Sequence, residues 1–282
     1  MTDKGIADRC LFEMLGGYIL VKCAHEECGR GIADYFSPHV CTRLVTPDVI
    51  VECDWMKASR YLFRARPAGK DVCLDGVYIT ALYGQREPWL SSYPPLPPLT
   101  FPPFAGRFVA LHGAALVPPD GGALLILGER GGGKTTLAVD LVNYGNYALL
   151  TDETAFIHIR TLLVEPFGIP LGFRSSTIED SKRLVPAIKA VRTIAKRPAW
   201  VTQVVILERA NISEPRLTVL SAADALRSML PHHLDASAAQ DEALLTLGRL
   251  ASEAKTYRFT HGGYGHLPAL RSMLKVQTQL QR

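Results

Sequence analysis

The stretch Ala123-Leu-Leu-Ile-Leu-Gly-Glu-Arg-Gly-Gly-Gly-Lys-Thr-Thr136 decides the fold of this 282-residue chain. It contains the complete pattern G-x-x-x-x-G-K-[ST] from Gly128 to Thr135. An apolar strand precedes this pattern, and an apolar helical pattern from Leu137 to Val142 follows it. A strand, a glycine-rich loop and a helix in this order predict a phosphate-binding loop, and therefore a bound nucleoside triphosphate.

Each residue type in the loop suits an anionic ligand. Glycine tolerates positive φ, so consecutive N–H groups can turn toward one phosphate, while the helix that follows directs its positive end at the same anion. Lys134 is expected to reach the β and γ phosphates, and the Thr135 hydroxyl is expected to ligate Mg²⁺. The residues predicted to bind the nucleotide are Gly128, Glu129, Arg130, Gly131, Gly132, Gly133, Lys134, Thr135 and Thr136.

The composition is that of an ordinary globular protein, with 48% hydrophobic and 21% charged residues. No apolar run is as long as a membrane span and the N-terminus lacks a signal-peptide pattern, so we expect a cytoplasmic protein with no membrane partner. The net charge is +4, with the basic excess after residue 105. This excess suits an anionic nucleotide but is too small to predict binding to nucleic acid.

All six cysteines lie in the first 73 residues, at Cys10, Cys23, Cys28, Cys41, Cys53 and Cys73. A cytosolic chain keeps its thiols reduced, so disulfides are not expected. Cys23, His25 and Cys28, with His39 and Cys41 nearby, could supply four soft ligands to zinc. Because no tight C-x-x-C pair is present, buried or unliganded thiols are the favoured interpretation.

A proline-rich segment indicates a boundary between two domains. Six prolines between positions 94 and 103 exclude a helix or an inner strand, which predicts an extended linker at 92–106. Residues 1–91 contain short β-like stretches between turn residues and predict a β-rich domain, a candidate for binding the substrate. Residues 107–282 predict an α/β domain with some antiparallel pairing. Its expected strands are 108–117, 123–127, 147–151, 155–159, 200–207, 216–220 and 256–259, and its expected helices are 134–143, 222–230, 238–254 and 266–279.

Two carboxylates, Asp152 and Glu153, follow the next predicted strand, whose end would face the bound phosphates. In an ATPase, Asp152 would hold Mg²⁺ and Glu153 would activate water. In a kinase, one carboxylate would take the proton of a substrate hydroxyl while the other helps to hold the metal. A solvated acidic turn is the alternative. His112 lies on the preceding apolar strand, where its surroundings alone favour a core histidine.

The order of these motifs resembles the catalytic core of the HPr kinase/phosphorylase family. The matching features are His112-Gly113, the phosphate loop, a leucine-rich helix ending near Gly145, and a strand ending in Asp152-Glu153. They cover about residues 107 to 160. Segments at 166–174, 204–208, 220–226 and 257–259 are similar, more loosely, to HPr-kinase-like proteins of modified-peptide gene clusters, notably lasso-peptide kinases.

The resemblance implies a P-loop kinase domain related to phosphoenolpyruvate carboxykinase, a homo-oligomer, ATP and Mg²⁺ as cofactors, and phosphorylation of a Ser or Thr hydroxyl on a peptide or small protein. It makes Lys134 and Thr135 the phosphate and metal residues, Asp152 the general base and His112 a phosphate neighbour. Glu153 departs from the family's usual pair of aspartates, and it could bind metal, position water or point outward. The longer family motif after the acidic pair is absent, so neither HPr itself nor the phosphorylase reaction is predicted.

Two basic features follow the acidic pair. Arg174 is a candidate clamp for the γ-phosphate, because a guanidinium offers fixed donors to phosphate oxygens; an exposed loop arginine is the equal alternative. Residues 182–197 carry six basic side chains and no acid, which favours a solvated helix or loop over a phosphate-binding lid. A nucleotide-gated binding module or ATPase, and a kinase of a small metabolite, remain alternative functions.

Overall fold

The computed structural model describes residues 9–24, 26–56, 60–67, 78–82, 104, 106–174, 182–234 and 240–279. The chain divides into two compact units. One comprises Met1–Ala105 with Ile169–Ala187, and the other comprises Gly106–Gly168 with Ile188–Arg282. Within the proline-rich linker predicted at 92–106, the structure describes Phe104 and Gly106. The domain boundary predicted at this linker stays a prediction.

The first unit contains strands that pair in chain order: β1 (Arg9–Met14), β2 (Gly17–Cys23), β3 (Val49–Met56), β4 (Arg60–Pro67) and β5 (Tyr78–Leu82). Strands β2 and β3 are parallel, and helix α1 (Glu26–Tyr35) lies between them in sequence, as a parallel pair requires a crossover. The other neighbouring pairs are antiparallel. The β-rich character predicted for this part of the chain is confirmed.

Helix α1 occupies part of the stretch that the sequence offered as zinc ligands. Gly29 and Gly31 obscure its helical pattern, because glycine has low helix propensity. Cys10 and Cys23 are buried, while His25 lies outside the described residues. Within the described ranges, no three potential His, Cys, Asp or Glu ligands come together. The preference for buried or unliganded thiols over a zinc site stays a prediction.

The basic segment 182–197 has three parts. Strand β12 (Lys182–Val185) pairs antiparallel with β11 (Leu171–Arg174), the one-turn helix α3 (Ala187–Ala190) follows, and Ile194 then forms an isolated bridge with Leu149. The prediction of a helix or loop is therefore wrong for Lys182–Val185, because cross-strand pairing outweighs local charge there. The basic side chains beyond the strand are exposed, as predicted: Lys189, Arg192, Lys196 and Arg197.

The second unit is built on a mixed sheet. Its strands are β6 (Phe108–Val117), β7 (Ala123–Gly128), β8 (Ala148–Thr151), β9 (Thr154–His158), β10 (Leu163–Val164), β13 (Ala199–Arg209), β14 (Arg216–Val219), β15 (His233–Leu234) and β16 (Lys255–His261). Its helices are α2 (Lys134–Gly145), α4 (Ala222–Met229), α5 (Gln240–Glu253) and α6 (Leu267–Gln279). The predicted α/β class is confirmed, and every strand and helix expected in this part is found with ends shifted by at most two residues.

Strand order places the ends of several strands at one edge of this sheet. The order is β10-β9-β6-β7-β13-β16-β14, and β8 and β15 also pair with β6. Strands β7, β13 and β16 are parallel to one another, while β6 is antiparallel to both β7 and β8. Strand β8 therefore runs in the same direction as β7. The segments that follow β7, β8, β13 and β16 all begin at the same edge, where α/β proteins bind ligands.

The central strand explains the position of the loop. Every residue of β7 is buried, which is typical of a strand covered on both faces. Helix α2 begins after Gly133 and ends at Gly145, where Asn146 adopts a left-handed conformation and Tyr147 N–H donates to the Leu141 carbonyl. The loop between β7 and α2 is thus held by a buried strand and a packed helix. None of the helices that the structure describes is long and apolar enough to cross a membrane.

Candidate functional site

The loop between β7 and α2 has the backbone conformation that phosphate binding requires. Gly131 and Gly133 have φ angles of 81° and 97°, in the left-handed region that glycine adopts without strain. Gly132 N–H donates to the Glu129 carbonyl at 3.0 Å and closes the turn. Successive left- and right-handed residues at a helix start form a concave set of N–H groups suited to an anion.

Lys134 is held inside this loop. Its side chain is 7% exposed, and Nζ donates to the carbonyl oxygens of Gly128 at 2.8 Å and Glu129 at 3.1 Å. These contacts keep the ammonium beside the start of α2, where the helix also favours negative charge. A phosphate oxygen that enters the loop can take over one of these hydrogen bonds, and a bond between two charged groups is stronger than the bond it replaces.

Asp152 lies at the end of β8, against the first turn of α2. Thr135 Oγ1 donates to Asp152 Oδ2 at 2.8 Å, and Asp152 is 1% exposed. The contact joins residues from two elements that the parallel direction of β7 and β8 brings to the same edge. The structure therefore places this carboxylate beside the loop, where the strand pattern predicted it.

The pair Thr135 and Asp152 fits a magnesium ion. Mg²⁺ prefers oxygen ligands at roughly 2.0–2.1 Å in octahedral geometry, so two neighbouring ligands are about 2.9 Å apart. The 2.8 Å between Thr135 Oγ1 and Asp152 Oδ2 is close to this value. Mg²⁺ usually takes one or two protein ligands and completes its shell with water and phosphates, so a larger cluster of acidic side chains is not needed.

Both the backbone oxygen and the carboxylate of Glu153 lie close to the ring of His112. Glu153 has φ of 67°, and its backbone oxygen lies 3.0 Å from His112 Nδ1 and accepts from Gly113 N–H at 3.3 Å. Its carboxylate Oε2 lies 3.6 Å from the same ring nitrogen. Because a carbonyl oxygen only accepts, Nδ1 carries the proton in this contact. Glu153 does not point outward, since its side chain is 16% exposed and faces His112.

The remaining predicted residues have different surroundings. Glu129, Arg130 and Thr136 lie on the loop and the first turn of α2, and all three are exposed. Arg174 ends β11 in the first unit, where it pairs with Lys182, and its side chain lies outside the described residues. Its role as a phosphate clamp therefore stays a prediction.

His232 is a neighbour of the loop that the sequence did not indicate. A 3₁₀ turn (Leu230–His232) ends at this residue, and β15 then pairs His233 with Leu111, the residue before His112. Burial lowers the pKa of His232; the Lys134 ammonium lowers it further, and the Glu129 carboxylate opposes both effects. His232 is therefore a mainly neutral imidazole near the phosphate loop at pH 7. The three residues of this turn, Leu230-Pro231-His232, carry no periodic sequence pattern that would have indicated the position of His232.

Comparisons with known proteins add little to this geometry. Neither a protein-family model nor a curated protein matches the sequence. Among solved structures, the Hpr(Ser) kinase/phosphatase from Coxiella burnetii is similar over 61% of this chain and 97% of its own chain. The TM-score is 0.36 and the sequence identity is 10%. A likeness this weak carries no argument about ligand or reaction, so the functional conclusion rests on the residues around the loop.

Proposed function

We propose that this chain is an ATP-dependent kinase that transfers the γ-phosphate to a Ser or Thr hydroxyl of a peptide or small protein. The observation that carries the proposal is the contact between the Thr135 hydroxyl and the buried Asp152 carboxylate, beside a loop that holds Lys134. Phosphoryl transfer needs positioning and charge neutralisation more than covalent catalysis, and these groups supply both. The resemblance described above favours a lasso-peptide or other modified-peptide precursor as the acceptor.

Each group has a defined task in this proposal. The loop N–H groups and Lys134 bind the β and γ phosphates and stabilise the charge that develops on ADP. Thr135 and Asp152 would hold Mg²⁺, which, when bound, neutralises charge on the phosphate oxygens. Asp152 accepts the proton of the acceptor hydroxyl as its oxygen bonds to the γ-phosphorus. The bond from that phosphorus to the β–γ bridging oxygen breaks, and ADP leaves.

The test is transfer of phosphate to a peptide. Purified full-length chain is incubated with Mg²⁺ and ATP and either a short peptide ending in serine, from a neighbouring gene, or a mixed set of Ser and Thr peptides. Mass spectrometry should find one added phosphate, and Asp152→Asn should slow transfer by about 10²–10⁴-fold, the usual contribution of a general base. Asp120→Asn is the matched control, because Asp120 is exposed and precedes β7 at the end opposite the loop.

The kinase assignment fails if every peptide stays unmodified while Asp152→Asn leaves ATP turnover unchanged. Phosphorylation of a small hydroxylated metabolite, with no peptide modified, would instead identify a metabolite kinase that uses the same groups. A parallel reaction that contains small hydroxylated metabolites in place of the peptides measures this second outcome by the same mass spectrometry.

A nucleotide-gated binding module or ATPase is the second candidate, and the Glu153–His112 contact favours it. A carboxylate held at 3.6 Å from a histidine ring is an arrangement that can activate a water molecule. In that case Glu153→Gln should stop ATP hydrolysis, and no phosphorylated product should appear with any acceptor. If the chain is a kinase, peptide phosphorylation should instead depend more on Asp152 than on Glu153.

A further inference from the structure

A short glycine-rich turn packs against the phosphate loop from the C-terminal part of the chain. The turn, His261-Gly-Gly-Tyr-Gly-His266, joins β16 to α6. Tyr264 Oη donates to the Gly131 carbonyl at 3.1 Å. A Cβ atom added to Gly133 would lie 3.4 Å from ring atom Cε1 of Tyr264. The tyrosine ring is therefore beside the loop at the start of α2, and nothing in the kinase proposal uses it.

The turn holds this ring in place without a ligand. Gly262 N–H donates to His266 Nδ1 at 3.0 Å, and His266 N–H donates to the Gly263 carbonyl at 3.1 Å. Gly262 has no room for a side chain, because a Cβ there would lie 2.4 Å from the Ile212 carbonyl oxygen. Tyr264 is nevertheless 52% exposed. A fixed, half-exposed aromatic ring beside a phosphate site is available to a ligand at little cost in conformational entropy.

The strand order indicates which end of a bound nucleotide would lie near the ring of Tyr264. Asp152 follows β8, which lies on the β6 side of β7. Tyr264 follows β16, which lies on the opposite side of β7, beyond β13. The loop is thus between the two. If the γ-phosphate faces Asp152, Thr135 and Lys134, the nucleoside extends toward Tyr264.

We propose that the ring of Tyr264 is the surface on which the base of the bound nucleotide stacks, and that the turn from His261 to His266 forms one wall of the nucleoside subsite. The proposal rests on the proposed function, because it presupposes a nucleotide in the phosphate loop. Stacking on an aromatic side chain accepts any base and is stronger for a larger π surface. Purine nucleotides should therefore bind more tightly than pyrimidine nucleotides.

The test compares ligands with and without a base. Binding of ADP, CDP and inorganic tripolyphosphate, each with Mg²⁺, is measured by isothermal titration calorimetry on the full chain. Tyr264→Ala should weaken ADP about 5- to 150-fold, the range of base stacking on one aromatic residue. It should leave tripolyphosphate affinity unchanged, which also shows that the variant folds, and it should abolish the preference for ADP over CDP.

Two control variants separate stacking from support of the loop. Tyr264→Phe keeps the ring and removes the hydroxyl that contacts Gly131, so it should bind ADP nearly as the wild type does. Tyr144→Ala removes another exposed tyrosine, located near the end of α2, and should change nothing. Equal loss of ADP and tripolyphosphate in Tyr264→Ala, or no loss of ADP, would overturn the stacking proposal. A wild-type chain that binds none of the three ligands would overturn the kinase proposal as well.

Discussion

Replacing Thr135 with valine removes one hydroxyl oxygen and nearly keeps the shape of the side chain. Thr135 Oγ1 donates to Asp152 Oδ2 at 2.8 Å, and Asp152 is 1% exposed. A buried carboxylate that loses a donor keeps its desolvation cost, and hydrogen bonds to charged groups contribute about 1.5–3 kcal/mol. We therefore expect Thr135→Val to lower the free energy of unfolding of the second unit by about 1.5–3 kcal/mol.

Thr135→Ser is the matched control, because it keeps the oxygen and removes one partly exposed methyl group. Its cost should stay below about 0.8 kcal/mol, the contribution of one fully buried CH₂ group. Urea denaturation without nucleotide or Mg²⁺ measures both variants. In a double-mutant cycle with Asp152→Ala, the two effects should not add, since each substitution removes one partner of the same hydrogen bond. Equal stability of the valine and serine variants, or additivity in the cycle, would refute the reasoning.

The same pair of variants tests the metal site. At a Mg²⁺-ADP concentration about 100 times Kd, ligand binding should stabilise the wild type by about 2.7 kcal/mol. Thr135→Ser should keep the part of this gain that requires Mg²⁺, and Thr135→Val should lose it. A Mg²⁺-dependent gain in the valine variant equal to that of the wild type would show that the Thr135 hydroxyl is not a ligand.

Two further predictions concern stability. A Cβ on Gly113 would lie 2.7 Å from the Ile126 carbonyl oxygen on the paired strand, so Gly113→Ala should lower the free energy of unfolding by about 1–3 kcal/mol; an unchanged urea midpoint would contradict this. Burial lowers the pKa of His39 from 6.5 to about 4, so its contribution to stability is complete above pH 6.5 and is lost as the pH falls toward 4. The free energy of unfolding of the first unit should therefore drop by about 2 kcal/mol from pH 7 to pH 5, because the unfolded histidine takes up a proton first. His39→Gln should remove this drop, and an equal drop in the variant would contradict its origin.

Local sequence patterns were sufficient to predict much of the structure of the second unit. The phosphate loop could be predicted because its determinants are contiguous, from the apolar run of β7 through Gly128 and Lys134 to the amphipathic start of α2. The α/β class followed from alternating strand and helix periods, which are also local properties. Sequence patterns failed where local preference and final structure disagree. Helix α1 contains two glycines, and the basic residues Lys182 and Arg183 form a strand because β11 supplies a partner.

The sequence by itself determined the phosphate loop, the class of the second unit and the identity of the acidic pair. Only the tertiary structure decided which of these residues meet. Thr135 contacts Asp152 across 17 residues, His112 contacts Glu153 across 41, and Tyr264 reaches Gly131 across 133. The physical reason is that strand order depends on hydrogen bonds between distant segments, which side-chain periodicity does not encode. Once β8 and β16 take their places on opposite sides of β7, the segments that follow them must flank the loop.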